Sequence, residues 1–241
     1  MSSSLNCFVT GTDTEIGKTL VSCALLLHWH RQGFSALGLK PVAAGAEEIN
    51  GEWHNEDVDA LAACSNVPLP LAARTPYLLR TPAAPHIAAE LEGTRIEPQV
   101  ILSHIAQARP HAQAVVVEGV GGFRVPLNEQ ADTADLAVSL NWPVVMVVGM
   151  RLGCINQALL TCEAILARGL RVVGWVANSG LHDMAYPDEN VRALQQRIHA
   201  PLLGVIPRLE GSTGAERAQH AVAHLNADAL RQAFSRSSNP T

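Results

Sequence analysis

The chain has 241 residues, of which 48% are hydrophobic, and this is enough apolar material for the core of one α/β domain. A formal net charge of −5, with no run of Lys or Arg, argues against nucleic acid as a partner. The first residues lack a signal-peptide pattern, and no apolar run is long enough to span a bilayer. We therefore expect a cytoplasmic protein with no membrane partner.

Apolar runs of strand length alternate with amphipathic segments along the chain. Strands are predicted at residues 7–10, 36–40, 114–118, 144–149, 171–176 and 202–206. Helices are predicted at residues 18–32, 57–64, 86–92, 98–108, 133–140, 155–168 and 188–198. This alternation predicts an α/β fold: a single domain over residues 1–234, with a mostly parallel central sheet covered by helices on both faces.

Three segments lack such a pattern. Residues 43–53 show no periodicity and are predicted to form a loop, while residues 65–85 contain five prolines and one short strand candidate at 77–79. Both segments could shape a substrate site. Residues 235–241 are polar and are predicted to be a disordered tail.

Residues 9–19, Val-Thr-Gly-Thr-Asp-Thr-Glu-Ile-Gly-Lys-Thr, lead from the first predicted strand into the first predicted helix. A Gly-Lys-Thr at the start of a helix is typical of a phosphate-binding loop, in which the lysine reaches the outer phosphates and the hydroxyl reaches Mg²⁺. Five residues separate Gly11 from Gly17 instead of the usual four, so the loop is a variant. The sequence predicts a P-loop domain that binds a nucleoside triphosphate, and a chance Gly-Lys-Thr is the alternative.

Ligands of parallel α/β sheets bind at the carboxyl ends of the strands. Polar and glycine-rich segments follow each of the other predicted strands, at residues 40–41, 118–119, 149–156, 178–179 and 207–208. We expect these segments to converge with the phosphate-binding loop on one cleft.

Two carboxylates are candidates to share a magnesium ion with the hydroxyl of Thr19. Glu118 ends a buried strand and precedes the flexible turn Gly-Val-Gly-Gly, and it could instead simply face solvent. Asp57 lies in the acidic segment 55–59 at a helix start, where ordinary capping explains it equally well. The pattern alone leaves the role of Asp57 open.

Lys40 ends a buried strand and is followed by Pro41, which keeps the backbone extended and directs the lysine toward the cleft. The chain contains only two lysines, and the other is Lys18 of the phosphate-binding loop. Both therefore fall at predicted anion positions. A solvated lysine at a strand end is the alternative for Lys40.

Six motifs of the chain occur in the order known from one enzyme family. They are Gly-Thr-Asp-Thr-Glu-Ile-Gly-Lys-Thr (11–19), Lys-Pro-Val-Ala-Ala-Gly (40–45), Asn-Glu-Asp (55–57), Val-Glu-Gly-Val-Gly-Gly (117–122), Leu-Gly-Cys-Ile-Asn (152–156) and Gly-Trp-Val-Ala-Asn (174–178). Together with the five-residue loop spacing, they closely resemble the dethiobiotin synthetase family over residues 6–210.

The resemblance implies a homodimeric ligase that closes a ureido ring on 7,8-diaminononanoate with CO₂, ATP and Mg²⁺. One amine becomes a carbamate, and an oxygen of the carbamate takes the γ-phosphoryl group to form a carbamic-phosphoric anhydride. The second amine then displaces phosphate, which gives dethiobiotin and ADP.

The resemblance also implies roles for individual residues. Thr19, Asp57 and Glu118 would hold Mg²⁺, which favours the ligand role of Asp57, while the catalytic Lys18 and Lys40 would neutralise charge on the phosphoryl group and carbamate. The implied nucleotide-binding residues are Glu15, Ile16, Gly17, Lys18, Thr19, Leu20, Asp57, Glu118, Gly119, Val120, Gly121, Asn178, Ser179, Pro207, Arg208 and Leu209. Of these, Asn178 and residues 207–209 would hold the adenine.

The implied substrate-binding residues are Thr14, Lys40, Ala44, Gly121, Leu152, Gly153, Cys154, Ile155 and Asn156. Residues 152–156 would offer N–H groups at a helix start to the tail carboxylate of the diamine, and in the family this segment comes from the other subunit. The active site would thus be shared across the dimer interface.

The chain departs from the family pattern at two places. The family often has Ser where this chain has Ala44, and loss of that hydroxyl predicts weaker diamine binding with the chemistry retained. Beyond Glu210 the match fades, and a family carboxylate near the ribose and base has no clear counterpart, because Gly214 falls about there. The preference for ATP over CTP or other nucleotides is therefore open.

Two other functions fit a P-loop domain. A switch ATPase of the ParA/MinD type would carry a second lysine five residues before the loop lysine, and this chain has Asp13 there. A kinase acting on a small metabolite is the other alternative, and it would use ATP with no requirement for CO₂.

Overall fold

The computed structural model describes residues 5–235. Its strands are β1 (Cys7–Gly11), β2 (Ala36–Leu39), β3 (Val42–Ala44), β4 (Glu47–Ile49), β5 (Glu52–His54), β6 (Tyr77–Leu79), β7 (Ala114–Glu118), β8 (Val144–Gly149), β9 (Val172–Asn178) and β10 (Leu202–Ile206). Its α-helices are α1 (Lys18–Arg31), α2 (Glu56–Cys64), α3 (Leu71–Arg74), α4 (Pro85–Leu91), α5 (Pro98–Ala108), α6 (Thr133–Leu140), α7 (Cys154–Ala167), α8 (Pro187–Gln195), α9 (Gly214–Ala221) and α10 (Ala227–Ser235).

The six strands predicted from apolar runs form one sheet in the order β10-β9-β8-β1-β7-β2. Every neighbouring pair in this sheet is parallel. The seven predicted helices are also present, with ends that differ from the prediction by at most three residues. The predicted α/β fold with a parallel central sheet is confirmed.

Both faces of the sheet are covered by helices, and its strands are apolar at nearly every position. In β1, Cys7 and Val9 pack with helices α1, α2, α9 and α10 on one face, while Phe8 packs with α5, α6, α7 and α8 on the other. The same alternation places Val116 on the first face and Val115 on the second. A strand that is buried on both faces carries a continuous apolar run, which explains why the sequence pattern located these strands well.

The prediction of a loop at residues 43–53 was wrong, because β3, β4 and β5 lie in this segment. Strand β3 pairs in parallel with β6, while β4 and β5 form an antiparallel hairpin. Its turn residues Asn50 and Gly51 have φ of 54° and 85°. An Asn-Gly pair suits such a two-residue turn, so the local signal was present, but the strands on either side are short, polar and exposed and show no apolar pattern.

All six strands of the central sheet are parallel, so the loops that follow them leave from one edge. The strand predicted at 77–79 is confirmed as β6. No helix among residues 5–235 is long and apolar enough to cross a membrane. The domain bounds at residues 1–234 stay a prediction, and all but the first residue of the predicted disordered tail lies outside the described residues.

Candidate active site

The phosphate-binding loop joins β1 to α1 and turns through two left-handed residues, Glu15 with φ of 55° and Gly17 with φ of 86°. A side chain on Gly17 would come within 2.0 Å of the amide nitrogen of Asn178, so the position requires glycine for space as well as for conformation. Lys18 is 6% exposed, and its Nζ donates a hydrogen bond to the backbone oxygen of Asp13 at 2.9 Å. The loop thus holds its lysine folded back onto its own backbone.

The charge of Lys18 is weakened by its surroundings. Burial and the nearby ammonium group of Lys40 lower the pKa of Lys18 to about 8, although Glu118 and Asp57 act in the opposite direction. An anion bound in the loop would raise the pKa of Lys18 and stabilise its charged form. The phosphate-binding role of Lys18 stays a prediction.

Thr19, Asp57 and Glu118 meet at the carboxyl edge of the sheet, from α1, α2 and β7. The hydroxyl oxygen of Thr19 lies 2.5 Å from Oδ1 of Asp57 and 2.8 Å from Oε1 of Glu118. The other oxygen of Glu118 is buried and has no hydrogen-bond partner among the described residues. Hard oxygen donors in this arrangement are the type of ligand that Mg²⁺ takes.

The cap of α2 explains how Asp57 is free to join this cluster. The side chain of Asn55 accepts a hydrogen bond from the backbone N–H of Val58, so Asn55 is the capping residue. Burial opposes the charge of Asp57, but Lys40 and the Thr19 hydroxyl hold the pKa of this carboxyl below its ordinary value. The carboxylate of Asp57 therefore stays ionised and faces Thr19 and Lys40.

Lys40 is 3% exposed, so it is not a solvated lysine. Its Nζ donates to Oδ2 of Asp57 at 2.9 Å, to Oε1 of Glu118 at 2.6 Å and to the backbone oxygen of Gly119 at 3.2 Å. Burial opposes its charge, but the two carboxylates outweigh burial and raise the pKa of Lys40. This lysine remains charged beside the three oxygen donors.

The glycine-rich turn after β7 closes one side of the phosphate-binding loop. The N–H of Gly119 donates to the backbone oxygen of Val9 at 2.9 Å, which ties the turn to β1. A side chain on Gly121 would lie 3.4 Å from the hydroxyl oxygen of Thr14, so these two residues are adjacent, and Val120 between the glycines is half-buried.

Asn178 joins the loops after β9 and β10 to the phosphate-binding loop. Its Nδ2 donates to the backbone oxygen of Ile16 at 3.0 Å, and its Oδ1 accepts from the N–H of Gly180 at 3.3 Å. The N–H of Ser179 donates to Ile206 at 2.8 Å, and Nε of Arg208 donates to Gly180 at 3.3 Å. The predicted base-binding residues, including the exposed Pro207 and the half-buried Leu209, therefore lie around one end of the loop.

The predicted substrate residues lie in two separate places. Ala44 ends β3, and its backbone oxygen accepts from Nδ2 of Asn55 at 3.2 Å, which places it beside the start of α2. Residues 152–156 form the start of α7, where Cys154 is buried, Leu152 is 96% exposed and Asn156 is exposed. The exposed side chains of this segment are not part of the Thr19–Asp57–Glu118 cluster of the same chain.

Sequence reasoning missed one connection between these parts. Arg151, directly before the 152–156 segment, forms an ion pair with Asp13 of the phosphate-binding loop, and Gln157 donates to the same carboxylate at 3.3 Å. Asp13 was considered only as the place where a switch ATPase carries lysine. Its position inside the phosphate-binding loop was the only local signal.

A cavity of about 790 Å³ lies apart from this cluster, between the β4–β5 hairpin, α2 and the segment from α3 to β6. Trp53, Thr75 and Arg80 are among its lining residues, and none of the predicted site residues lines it. The cluster at the phosphate-binding loop, rather than this cavity, therefore contains the chemistry that the sequence predicts.

Comparison with known proteins places the chain in a family. The AAA domain family model matches residues 6–216. The chain is 56% identical over 224 residues to the ATP-dependent dethiobiotin synthetase BioD of Janthinobacterium sp. (strain Marseille), covering 91% of this chain and 95% of that protein. It is 57% identical over 209 residues to the protein of the same name from Aromatoleum aromaticum, covering 87% of this chain and 93% of that protein.

Solved structures share the fold at low sequence identity. The septum site-determining protein MinD of Pyrococcus horikoshii, complexed with Mg-ADP, is 15% identical with a TM-score of 0.53, covering 97% of this chain and 96% of that chain. A ParA family ATPase from Chlorobium tepidum is 11% identical with a TM-score of 0.54, covering 99% of each chain. These two likenesses show the fold alone, whereas the identity to the two synthetases extends over nearly the whole sequence, and on that ground the chain belongs to the dethiobiotin synthetase family.

Proposed function

We propose that this protein is an ATP-dependent dethiobiotin synthetase, a ligase that carboxylates 7,8-diaminononanoate with CO₂ and closes the ureido ring. The observation that carries the proposal is the hydrogen-bonded cluster of the buried Lys40 and Glu118 with the partly exposed Thr19 and Asp57, beside the phosphate-binding loop. It combines oxygen donors for a divalent cation with a fixed ammonium group, which a phosphoryl transfer to a carbamate requires.

Mg²⁺ is the cation that fits this site. Thr19, Asp57 and Glu118 would hold it, and the buried unpartnered oxygen of Glu118 supports a cation there, because an uncompensated buried carboxylate oxygen is costly. When bound, Mg²⁺ neutralises charge on the phosphates of ATP.

The two lysines have different tasks in this proposal. Lys18 would leave the backbone oxygen of Asp13 and bind the outer phosphates, whose negative charge would raise its pKa and stabilise its ammonium form. Lys40 is held by two carboxylates and does not need to move, so it offers a preorganised positive charge to the carbamate as its oxygen attacks the γ-phosphorus. Phosphate then leaves the anhydride as the second amine attacks the carbonyl carbon and loses its proton.

The loops after β9 and β10 would bind the base. Asn178 is buried and fixed by its hydrogen bonds to the phosphate-binding loop, so base and phosphates would be bound by one connected unit. Pro207, Arg208 and Leu209 follow β10 and offer backbone groups and partly exposed side chains to an adenine. The donors and acceptors of this segment would decide between ATP and CTP.

A homodimer with a shared active site completes the proposal. Exposed large apolar side chains support it: Val138 on α6, Leu160 and Leu166 on α7, and Leu152 just before α7. Of these residues, Leu152 belongs to the segment 152–156 that would receive the tail carboxylate of the diamine in the partner's site, and Leu160 and Leu166 lie further along the same helix. The protein would work in the cytoplasm, where its substrates are small soluble molecules.

The switch ATPase is the less supported alternative. Asp13 occupies the position of the second lysine of such proteins, and its carboxylate is already paired with Arg151 of the same chain. Partner-stimulated ATP turnover without the diamine would favour that alternative.

Mass spectrometry of the products tests the proposal. The purified protein would be incubated with 7,8-diaminononanoate, ¹³C-bicarbonate, ATP and Mg²⁺, and phosphate release would be measured in the same samples. We expect a product that gains one labelled carbonyl, in equal amount to the phosphate released. ATP hydrolysis without this product would refute the proposal, and phosphorylated diamine without carbonyl gain would favour the kinase alternative.

A further inference from the structure

Asp13 connects the phosphate-binding loop to the start of α7. One oxygen of its carboxylate accepts from the guanidinium of Arg151 and from Nε2 of Gln157, and the other accepts from the N–H of Thr14 at 2.8 Å. Asp13 and Arg151 are 138 residues apart in sequence, so the contact joins two distant parts of the chain. The side chain of Asp13 is fully engaged within the protein.

Asp13 also contacts the lysine of the phosphate-binding loop through its backbone. Its carbonyl oxygen accepts from Nζ of Lys18 at 2.9 Å. If Lys18 turned to the phosphates of a nucleotide, this carbonyl would lose its partner, while the ion pair of the carboxylate with Arg151 does not involve Lys18. Asp13 is therefore in contact both with the group that moves on nucleotide binding and with the residue before the 152–156 segment.

Arg151 has few other partners to hold it. Its Nε is buried and has no hydrogen-bond partner among residues 5–235, while its Nη2 binds Asp13. A guanidinium fixed mainly through one carboxylate follows that carboxylate when it shifts. The ion pair is thus a direct contact between the phosphate-binding loop and the residue that precedes the 152–156 segment.

We propose that Asp13 and Arg151 are positioning residues that couple nucleotide binding in the phosphate-binding loop to binding of the diamine's tail carboxylate at residues 152–156. The inference rests on the proposed function. Because that segment would serve the partner's site, the pair also couples the two sites of the dimer: nucleotide in one site strengthens diamine binding in the other. Linkage requires that the diamine strengthens nucleotide binding by the same factor.

Calorimetric titration of the diamine, with and without ADP and Mg²⁺, tests the coupling in the full-length protein. For the unaltered protein we expect ADP to tighten diamine binding about fivefold or more. In Arg151→Met this effect should disappear, and the KM for the diamine should rise about fivefold, as suits a half-exposed ion pair. By the same linkage, the KM for ATP at saturating diamine should rise by a similar factor, whereas kcat and the Kd for ATP without diamine should stay within about twofold.

Further variants separate positioning from simple loss of structure. Arg151→Lys keeps the charge and should retain most of the coupling, whereas Asp13→Asn should lose it. The double variant Asp13→Asn/Arg151→Met should lose no more than either single variant, because both changes break the same contact. Arg192→Met is the matched control, since Arg192 pairs with Glu189 on the exposed side of α8 and should leave every value unchanged.

The outcomes distinguish failure of this inference from failure of the proposed function. If the unaltered protein makes dethiobiotin but Arg151→Met retains the ADP effect and the diamine KM, the inference is overturned while the function stands. Equal losses in Arg151→Lys and Arg151→Met would also overturn it. If the unaltered protein makes no dethiobiotin at all, the proposed function fails first, whatever the variants do.

Discussion

Raising the pH from 7.5 to 9.5 is expected to weaken ATP binding by about 25-fold, through Lys18 alone. In the free protein, burial and Lys40 hold the pKa of Lys18 near 8, so the lysine is mostly charged at pH 7.5 and mostly neutral at pH 9.5. The triphosphate binds the charged form, because the loop lysine contributes an ammonium group to the outer phosphates. The fall in the competent fraction approaches about tenfold per pH unit only well above pH 8.

The sign of the effect follows from linkage. A bound anion raises the pKa of Lys18, so the complex holds more protons than the free protein above pH 8, and affinity must fall as the pH rises. At pH 8.5 binding should take up about three quarters of a proton. Lys40 does not contribute to this change, because Asp57 and Glu118 raise its pKa despite burial.

Isothermal titration calorimetry of ATP with Mg²⁺, in the absence of diamine, measures both quantities. Two buffers with different ionisation enthalpies give the proton uptake directly. Lys18→Arg is the control, because arginine stays charged over this range and its affinity should be flat with pH. An affinity of the unaltered protein that is flat up to pH 9.5, or an equal fall in Lys18→Arg, would refute the reasoning.

Three further predictions concern the neighbourhood of the loop. Glu118→Gln should raise the Mg²⁺ concentration for half-maximal turnover about tenfold or more and reduce kcat by orders of magnitude. Phosphate release measures both values. An unchanged Mg²⁺ dependence would show that Glu118 is not a ligand of the cation. Gly17→Ala should lower the free energy of unfolding by about 2 kcal/mol and abolish ATP binding. The methyl group of the alanine would displace Asn178, and the backbone at this position has φ of 86°. Wild-type stability in urea unfolding would contradict this. Ala44→Ser should lower the KM for the diamine about threefold to tenfold with kcat nearly constant, and an unchanged KM in steady-state kinetics would show that this position does not bind substrate.

The sequence predicted the central sheet well for a physical reason. Strands buried on both faces have no polar face, so β7 and β8 appear as uninterrupted apolar runs bounded by glycine or charge. The sequence prediction missed the β4–β5 hairpin, because short exposed strands carry no such pattern. Only the Asn50-Gly51 turn indicated the hairpin.

The site was predictable where its residues follow strands, and ambiguous where a helix start supplies them. Lys40 directly follows β2 and Glu118 ends the adjacent strand β7, so the parallel sheet alone brings them together. Asp57 could have been a cap or a ligand; the structure shows Asn55 as the cap and Asp57 beside Thr19 and Lys40, and its ligand role stays a prediction. The Asp13–Arg151 ion pair joins side chains that no periodicity relates, so the sequence could not indicate it.

The hydroxyl of Thr19 has one hydrogen, yet it lies within 2.8 Å of carboxylate oxygens from both Asp57 and Glu118. A single hydrogen can satisfy only one of these oxygens, and the other contact brings two lone pairs together. The three oxygens are therefore arranged as acceptors around a common point, at a cost that Lys40 offsets only in part. On the proposal that these residues hold Mg²⁺, the cation would remove this conflict, because it would accept a lone pair from each of the three side chains. The fold would then bear the electrostatic cost of assembling the cation site before the cation binds.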